Sequence, residues 1–348
     1  MLEFLKLLRY IFIILILVLG LVGGYYYYNV FLKTNTKFNK DYIFLHVPSS
    51  SDQNQLLDSL KNYLIDMPKF IEAANYKGYL NNIKPGRFKI VNGNNNTEII
   101  NSLRSQNIPL KVTFNNIETI NQLFGRISLK IEADSLSLVK VFSDREFLND
   151  LNLNNESVFS LFIPNTYEFF WNTSALQFRE RILKEFDIFW NDDRINKSKK
   201  INLNPIEVMT LASIVQKETP KVDERPTIAG VYLNRLDKRM KLQADPTVVY
   251  TIKKRDGFDT KIRRVLYKDL RIKSPYNTYV NRGLPPGPIV TPDISAIEAV
   301  LNPLDHSFIY FVADVSNPGY HLFSRTNAEH NQKKRQYTKW LRERNIRR

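Results

Sequence analysis

The stretch "YIFIILILVLGLVGGYYYY", Tyr10 to Tyr28, constrains this chain most. It runs 19 residues without a charge. A helix of about 20 apolar residues crosses a bilayer, so the spacing predicts one transmembrane helix. Lys6 and Arg9 precede the run, which favours a cytoplasmic N-terminus. Lys33 and Lys37 lie just beyond and weaken that asymmetry. Tyr25 to Tyr28 fall where an aromatic interface belt would sit. A cleaved signal peptide is the alternative, but no clean A-x-A site follows. The chain after the run carries no second span, so it is expected to form an extracytoplasmic domain tethered to the membrane.

The chain of 348 residues has 50 Lys+Arg against 35 Asp+Glu, a net charge of +15. Nucleic acid is the usual partner of so basic a chain. Here the basic residues are dispersed, and no zinc-finger, Gly-rich or helix-turn-helix signature accompanies them. A solvated basic surface, or attraction to an anionic polymer or membrane, fits better. There is no cysteine, which excludes disulfide and thiol chemistry. The four histidines, His46, His306, His321 and His330, show no metal-ligand pairing, so neither metal nor cofactor is expected.

Residues 34–110 read as a small α/β unit. "DYIFLHVPS" has strand character, and the run 51–66 spaces Leu56, Leu57, Leu60 and Leu64 as one helix. "IKPGRFKIVNG" gives a turn and a strand, and Asn96 or Thr97 caps a helix that carries Ile99, Ile100 and Leu103. Residues 111–348 form the larger part, with a core expected over 200–335. "NDDRINKSKK" reads there as a loop or frayed helix end, and "LQADPTVVYT" and "SPYNTYVNRGLPPGPIVTP" read as loops.

Chemistry concentrates at "LASIVQKETP", 211–220. Asn204-Pro205 starts a helix well. At about 100° per residue, Leu211, Ile214, Val215 and Glu218 share one face, while Gln216 and Lys217 point elsewhere. Glu218 therefore faces the protein body, close to the end imposed by Thr219-Pro220. Helix-end polarity and apolar neighbours both raise a carboxylate pKa. A carboxylic acid that stays protonated suits glycosidic cleavage, because the leaving oxygen needs a proton. An ordinary ion pair with Arg225 or Arg235 is the competing explanation. Around it, Tyr250, Tyr276 and Tyr279 offer sugar-stacking faces, and Asn234, Gln243, Asp245 and Asn277 offer hydrogen-bonding groups. "GLPPGPIVTP" suits a stiff groove wall.

These segments carry a specific resemblance. "LASIVQKET", "VYLNRL", "LQADPTVVY", "SPYNTYVNRGLPPGPI", Asn302-Pro303, "YFVAD" and "HLFSRTNAEHN" occur in order over about 205–331. Together they resemble the catalytic region of the endolytic murein transglycosylases of the MltG (YceG-like) family. "LFIPNTYEF" (161–169) resembles an upstream element that usually has Asp where Asn165 stands, and often a preceding Leu-Glu-Gly that is absent here. "KPGRFKI" (84–90) resembles the family's LysM-like subdomain. The resemblance implies an α+β architecture: a transmembrane helix (1–33), a LysM-like α/β subdomain (34–110) and a mixed α+β catalytic domain (111–348). It aligns the essential Glu with Glu218; many members carry a second Glu where this chain has Gln216. It implies cleavage of the β-1,4 bond between N-acetylmuramic acid and N-acetylglucosamine within glycan strands, leaving 1,6-anhydro ends. In the expected groove Asn234, Gln243, Asp245, Tyr250, Asn277 and Tyr279 are expected to bind sugar or position Glu218, and His321 to line the groove or make a structural hydrogen bond. The expected partners are peptidoglycan strands and the cell inner membrane, with peptidoglycan synthases as candidates and no nucleic acid. A hydrolytic muramidase using Asp245 and a non-catalytic glycan-binding scaffold are the rival functions. An aminodeoxychorismate lyase would require pyridoxal phosphate and a cytosolic substrate, against the expected tether.

Overall fold

The structure is a computed structural model and describes residues 1–343. Its mixture of helices and short antiparallel strands makes it an α+β protein. The chain forms two compact units, one of residues 1–111 with 130–132 and 168–174, the other of 112–129, 133–167 and 175 onward.

The first unit opens with α1 (Leu2–Tyr27), no residue of which is buried. With its continuation to Leu32 it spans 31 residues, and its most apolar 18-residue stretch has a mean hydropathy of 2.5, so it is long and apolar enough to cross a membrane. A π-helical turn, Tyr28–Leu32, carries it onward, and Val30 and Phe31 there already lie in this unit's core. Strand β1 (Tyr42–Val47) pairs antiparallel with β2 (Gly86–Val91), Leu45 opposite Phe88. Leu45, Val47, Phe88 and Ile90 face inward and pack with α2 (Gln53–Leu60), α3 (Met67–Tyr76) and α4 (Asn96–Arg104). The expected single helix over 51–66 is interrupted. α2 ends at Leu60, Leu64 forms a bridge with Thr36, and Asp66 caps α3, its side chain accepting from the Lys69 amide. A free Asp oxygen ahead of Pro68 nucleates a new helix better than it extends an old one. The cap of α4 is Asn95, one residue earlier than expected.

Strand β3 (Leu110–Phe114) pairs with β4 (Asn165–Phe169), and the second unit takes residues 112–114 of the one and 165–167 of the other. In the second unit, α5 (Ile120–Ser128), α6 (Ser135–Phe142), α7 (Arg145–Asp150) and α8 (Ala175–Phe189) surround an aromatic core. Phe162 sits at its centre, its ring 5.1 Å from Phe142, 5.9 Å from Phe124 and 6.0 Å from Phe114. "NDDRINKSKK", expected as a loop or frayed helix end, forms a separate capped helix, α9 (Asp192–Lys200). The Asn191 side chain accepts from the Arg194 amide, Asp192 and Asp193 occupy the first turn, and Lys197, Lys199 and Lys200 the last. That order of charge matches the helix dipole and offsets an almost wholly polar composition.

Helix α10 (Pro205–Glu218) is central, and every residue from Val208 to Val215 is buried. It packs with α11 (Arg225–Asp237), α12 (Asp245–Asp256) and α13 (Ile294–Leu301). α12 replaces the expected loop at "LQADPTVVYT". Thr247, Val248 and Val249 are poor helix formers, but Pro246 starts the helix and Val248 and Ile252 are buried. The hydroxyls of Thr247 and Thr251 bond back to Ala244 O and Thr247 O. A hairpin of β5 (Tyr310–Ala313) and β6 (His321–Ser324) pairs Phe311 with Phe323, and α14 (Asn327–Glu343) packs beside it.

Candidate active site

The site grows from the two ends of α10. At its start, Asn204 Oδ1 accepts from the Glu207 amide at 3.0 Å, and Glu207 Oε2 accepts from the Asn204 amide at 2.8 Å. This reciprocal cap accounts for Glu207 and fixes the first turn. In the middle, Ser213 Oγ accepts from the Ile289 amide at 3.0 Å and donates to Thr210 O, tying the segment 283–292 to the helix. Gln216 Oε1 accepts from the Asp293 amide at the start of α13. Glu218 is the last helical residue, and Thr219 turns extended behind it.

Glu218 is half-buried at the wall of a cavity of about 730 Å³. The Tyr232 hydroxyl, from buried α11, donates to Glu218 Oε1. Burial pushes the Glu218 pKa up to about 7, opposed by the Tyr232 bond; the Asp245 charge raises it further, and the Arg235 charge lowers it. Burial wins because a carboxylate loses more in leaving water than one donor returns. The competing ion-pair explanation fails on geometry. Arg235 donates to Ile309 O and Leu242 O, and Arg225 to Ser295 Oγ while it pairs with Asp293. Among the described residues, no lysine or arginine forms an ion pair with Glu218.

Asp245 opens α12 and lines the same cavity, accepting from the Tyr279 hydroxyl at 2.6 Å. Tyr250 also lines it, its ring 4.6 Å from that of Tyr276; burial pushes the Tyr250 phenol up to about 12. The other expected binding residues are engaged elsewhere. Asn234 Nδ2 donates to His306 O and Phe308 O, fixing the approach to β5. Buried Asn277 donates to Leu270 O and Ile272 O, and its Oδ1 accepts from the Tyr279 amide, so it shapes the loop that presents Tyr279. His321 meets buried Glu224 through both its amide and Nδ1. Gln243 is exposed with a left-handed backbone, φ 50°, and is not among the cavity's lining. Among the described residues, no group of His, Asp or Glu is arranged to hold a metal ion.

Sequence reasoning passed over three contributors. Tyr232 lies within "VYLNRL", but only the packing of α11 on α10 brings its hydroxyl to Glu218. Glu118 lines the cavity and pairs with Lys253 at 2.7 Å and Lys217 at 3.6 Å. It is brought there by Ile117 and Thr291, which exchange two hydrogen bonds across more than 170 residues of chain. Finally, the irregular segment Phe258–Val265 forms much of the remaining wall.

The model of the YceG-like family matches residues 45–336. The chain belongs to the YceG-like family. A Bacillus subtilis relative in this family, named endolytic murein transglycosylase, is 30% identical over 90% of each chain. A Streptococcus pneumoniae protein of the same name is 26% identical; the match covers 84% of this chain and 59% of that longer protein. A crystal structure of a YceG-like protein from Listeria monocytogenes superposes with a TM-score of 0.55 at 28% identity, covering 84% of this chain and 99% of the other. A chain shared over this length with YceG-like proteins carries the same α+β fold.

Proposed function

We propose that this chain is a membrane-anchored endolytic lytic transglycosylase of peptidoglycan, with Glu218 as its single acid and base. The observation that carries this reading is a half-buried carboxyl with a pKa raised to about 7, held by Tyr232 at a cavity wall. The names of its relatives support the substrate. A group poised near neutrality can give and retrieve a proton in one turnover. Glu218 protonates the oxygen leaving from C1 of the muramyl residue, and the C1–O bond breaks. The muramyl C6 hydroxyl then bonds to C1 and returns its proton to Glu218. No water is consumed, and the new end is a 1,6-anhydro sugar. The substrate's N-acetyl group can assist where a second protein carboxylate does not act as nucleophile. Asp245, held by Tyr279, orients sugar hydroxyls; Tyr250 supports the wall beside it.

Helix α1 anchors the protein in the cell membrane, and the charges of Lys6 and Arg9 favour a cytoplasmic N-terminus. Residues 34–110 form the LysM-like module, residues 111–348 the catalytic domain, and peptidoglycan synthases are candidate neighbours. One further reading has an observation behind it. Asp245 is exposed at the cavity and could hold a water, which would make the enzyme a hydrolytic muramidase. Mass spectrometry of purified peptidoglycan digested by the full-length protein in detergent separates the two. Anhydromuramyl ends, lighter by one water and absent with Glu218→Gln, are expected. Reducing ends would mean a hydrolase, and no cleavage by either protein a binding scaffold.

A further inference from the structure

The cavity beside Glu218 has a second chemical character that the cleavage step does not use. Its wall at 258–265 has no helix or strand and follows Gly257, whose φ of +106° ends α12. This segment contributes Lys261, Arg263 and Arg264 against one carboxylate, Asp259. All three cations are exposed. The other two lysines of the cavity differ: Lys217 and Lys253 both pair with Glu118, which cancels much of their charge locally. Arg255, just before the segment, is engaged with Asp256 through two bonds of 2.6 and 2.7 Å. Lys261 and Arg263 thus sit on the cavity wall with their charge directed to no carboxylate on the protein among the described residues.

We infer that Lys261 and Arg263 form a subsite for carboxylates borne by the glycan strand next to the scissile bond. The inference rests on the proposed transglycosylase reading. A cavity of about 730 Å³ falls within the usual size of a ligand pocket, so a strand whose muramyl C1 reaches Glu218 also passes this wall. Every muramyl residue carries a carboxyl-bearing arm, either the bare lactyl group or a stem peptide attached through it. Arg pairs with carboxylates bidentately, and Lys adds a point charge. Neutral sugar would give cationic side chains on this wall no partner. The subsite selects strands by their carboxylates, and Glu218 cuts what it holds.

Binding is measured in the full-length Glu218→Gln protein, in detergent, with and without Lys261→Ala/Arg263→Ala. The probes are labelled uncross-linked glycan strands in three forms: with stem peptides, stripped by an amidase to the bare lactyl carboxylate, and with every carboxylate converted to methylamide. The double variant is expected to weaken Kd about tenfold on carboxylate-bearing strands at low salt, less as salt rises, and under twofold on methylamide strands. Lys261→Arg/Arg263→Lys should retain wild-type binding, which excludes a folding defect. A contrast that survives stripping assigns the lactyl carboxylate; one lost on stripping assigns the stem peptide. Equal Kd for variant and parent, or equal loss on methylamide strands, overturns the subsite. Product analysis of the Glu218-containing protein is independent. Anhydro ends without a binding contrast sink the subsite alone, and a binding contrast without anhydro ends sinks the reaction alone.

Discussion

Replacing Tyr232 by Phe tests how Glu218 is tuned. The ring stays in place, edge-on to Phe311 at 5.9 Å, and only the donor to Glu218 Oε1 is lost. That donor favours the carboxylate, so it holds the Glu218 pKa below the value that burial alone would set. A hydrogen bond to a charged group contributes about 1.5–3 kcal/mol, and one pKa unit corresponds to about 1.36 kcal/mol. The variant's Glu218 pKa should therefore rise by about 1–2 units from about 7. In the proposed first step Glu218 acts in its protonated form, so the alkaline limb of kcat/KM, which reports the free enzyme, should move up by that amount. The plateau should fall as well, because a less well-oriented and weaker acid donates more slowly. It should fall by less than the whole general-acid contribution of about 10²–10⁴-fold. The assay is the initial rate of anhydro-end formation from pH 5 to pH 9.5, with Tm followed in parallel. An alkaline limb that stays put or moves down, in a folded and active variant, would refute the reasoning.

Three further expectations follow from the same geometry. The Glu218 pKa in the folded protein lies above its ordinary 4.5, so its ionisation opposes folding; the associated stability is full below about pH 4.5 and is lost as pH rises through about 7. Glu218→Gln should raise Tm more at pH 8 than at pH 4.5, with a ceiling of about 3 kcal/mol, and an equal effect at both pH values would contradict the burial. Gln216 accepts from the Asp293 amide; Gln216→Glu keeps that acceptor and should leave activity and stability near wild type, whereas Gln216→Ala should cost about 1 kcal/mol in urea unfolding. A Cβ on Gly287 would lie 2.4 Å from Glu156 O, so Gly287→Ala should destabilise by about 1–3 kcal/mol as the segment 283–292 shifts, and an unchanged Tm would show that the segment yields freely.

Local signals in the sequence carried the elements with strong caps and clear periodicity. Asn204-Pro205 marked the start of α10, and Thr219-Pro220 its end. They failed where compensation comes from elsewhere in the chain. α12 contains Thr-Val-Val, which argues against a helix until the burial of Val248 and Ile252 is known. α9 reads as a loop or frayed helix end because its stabilisation lies in the order of its charges and not in an apolar face. The site divides along the same line. The apolar face of α10 marks out Glu218, whereas residue type alone groups Asp245 with Asn234, Gln243 and Asn277; of these five only Glu218 and Asp245 line the cavity. Asn234, Asn277 and His321 have the same polar character, yet their side chains bond to backbone carbonyls, a backbone amide and buried Glu224. Residue type alone does not separate a group that awaits a ligand from one already satisfied by the fold.

Helix-end polarity alone does not account for the raised pKa of Glu218. Position at the C-terminus of α10 raises a carboxylate pKa by about 0.2–0.7 unit when exposed. Reaching about 7 requires burial, with the Asp245 charge adding to it against Tyr232 and Arg235. Those partners come from α11 and α12, which reach Glu218 only after the chain has turned twice, through Pro220 and through Leu242. The raised pKa of Glu218 is therefore a property of three packed helices. A substitution that loosens α11 from α10 without touching Glu218, such as Ile228→Ala in the shared core, admits water. It should shift the alkaline limb downward, opposite to Tyr232→Phe, because relief of desolvation lowers a carboxylate pKa. Opposite displacements from these two variants, read in one pH series, would separate burial from hydrogen bonding as the causes of the raised pKa; displacements in the same direction would mean that the balance assigned to them is wrong.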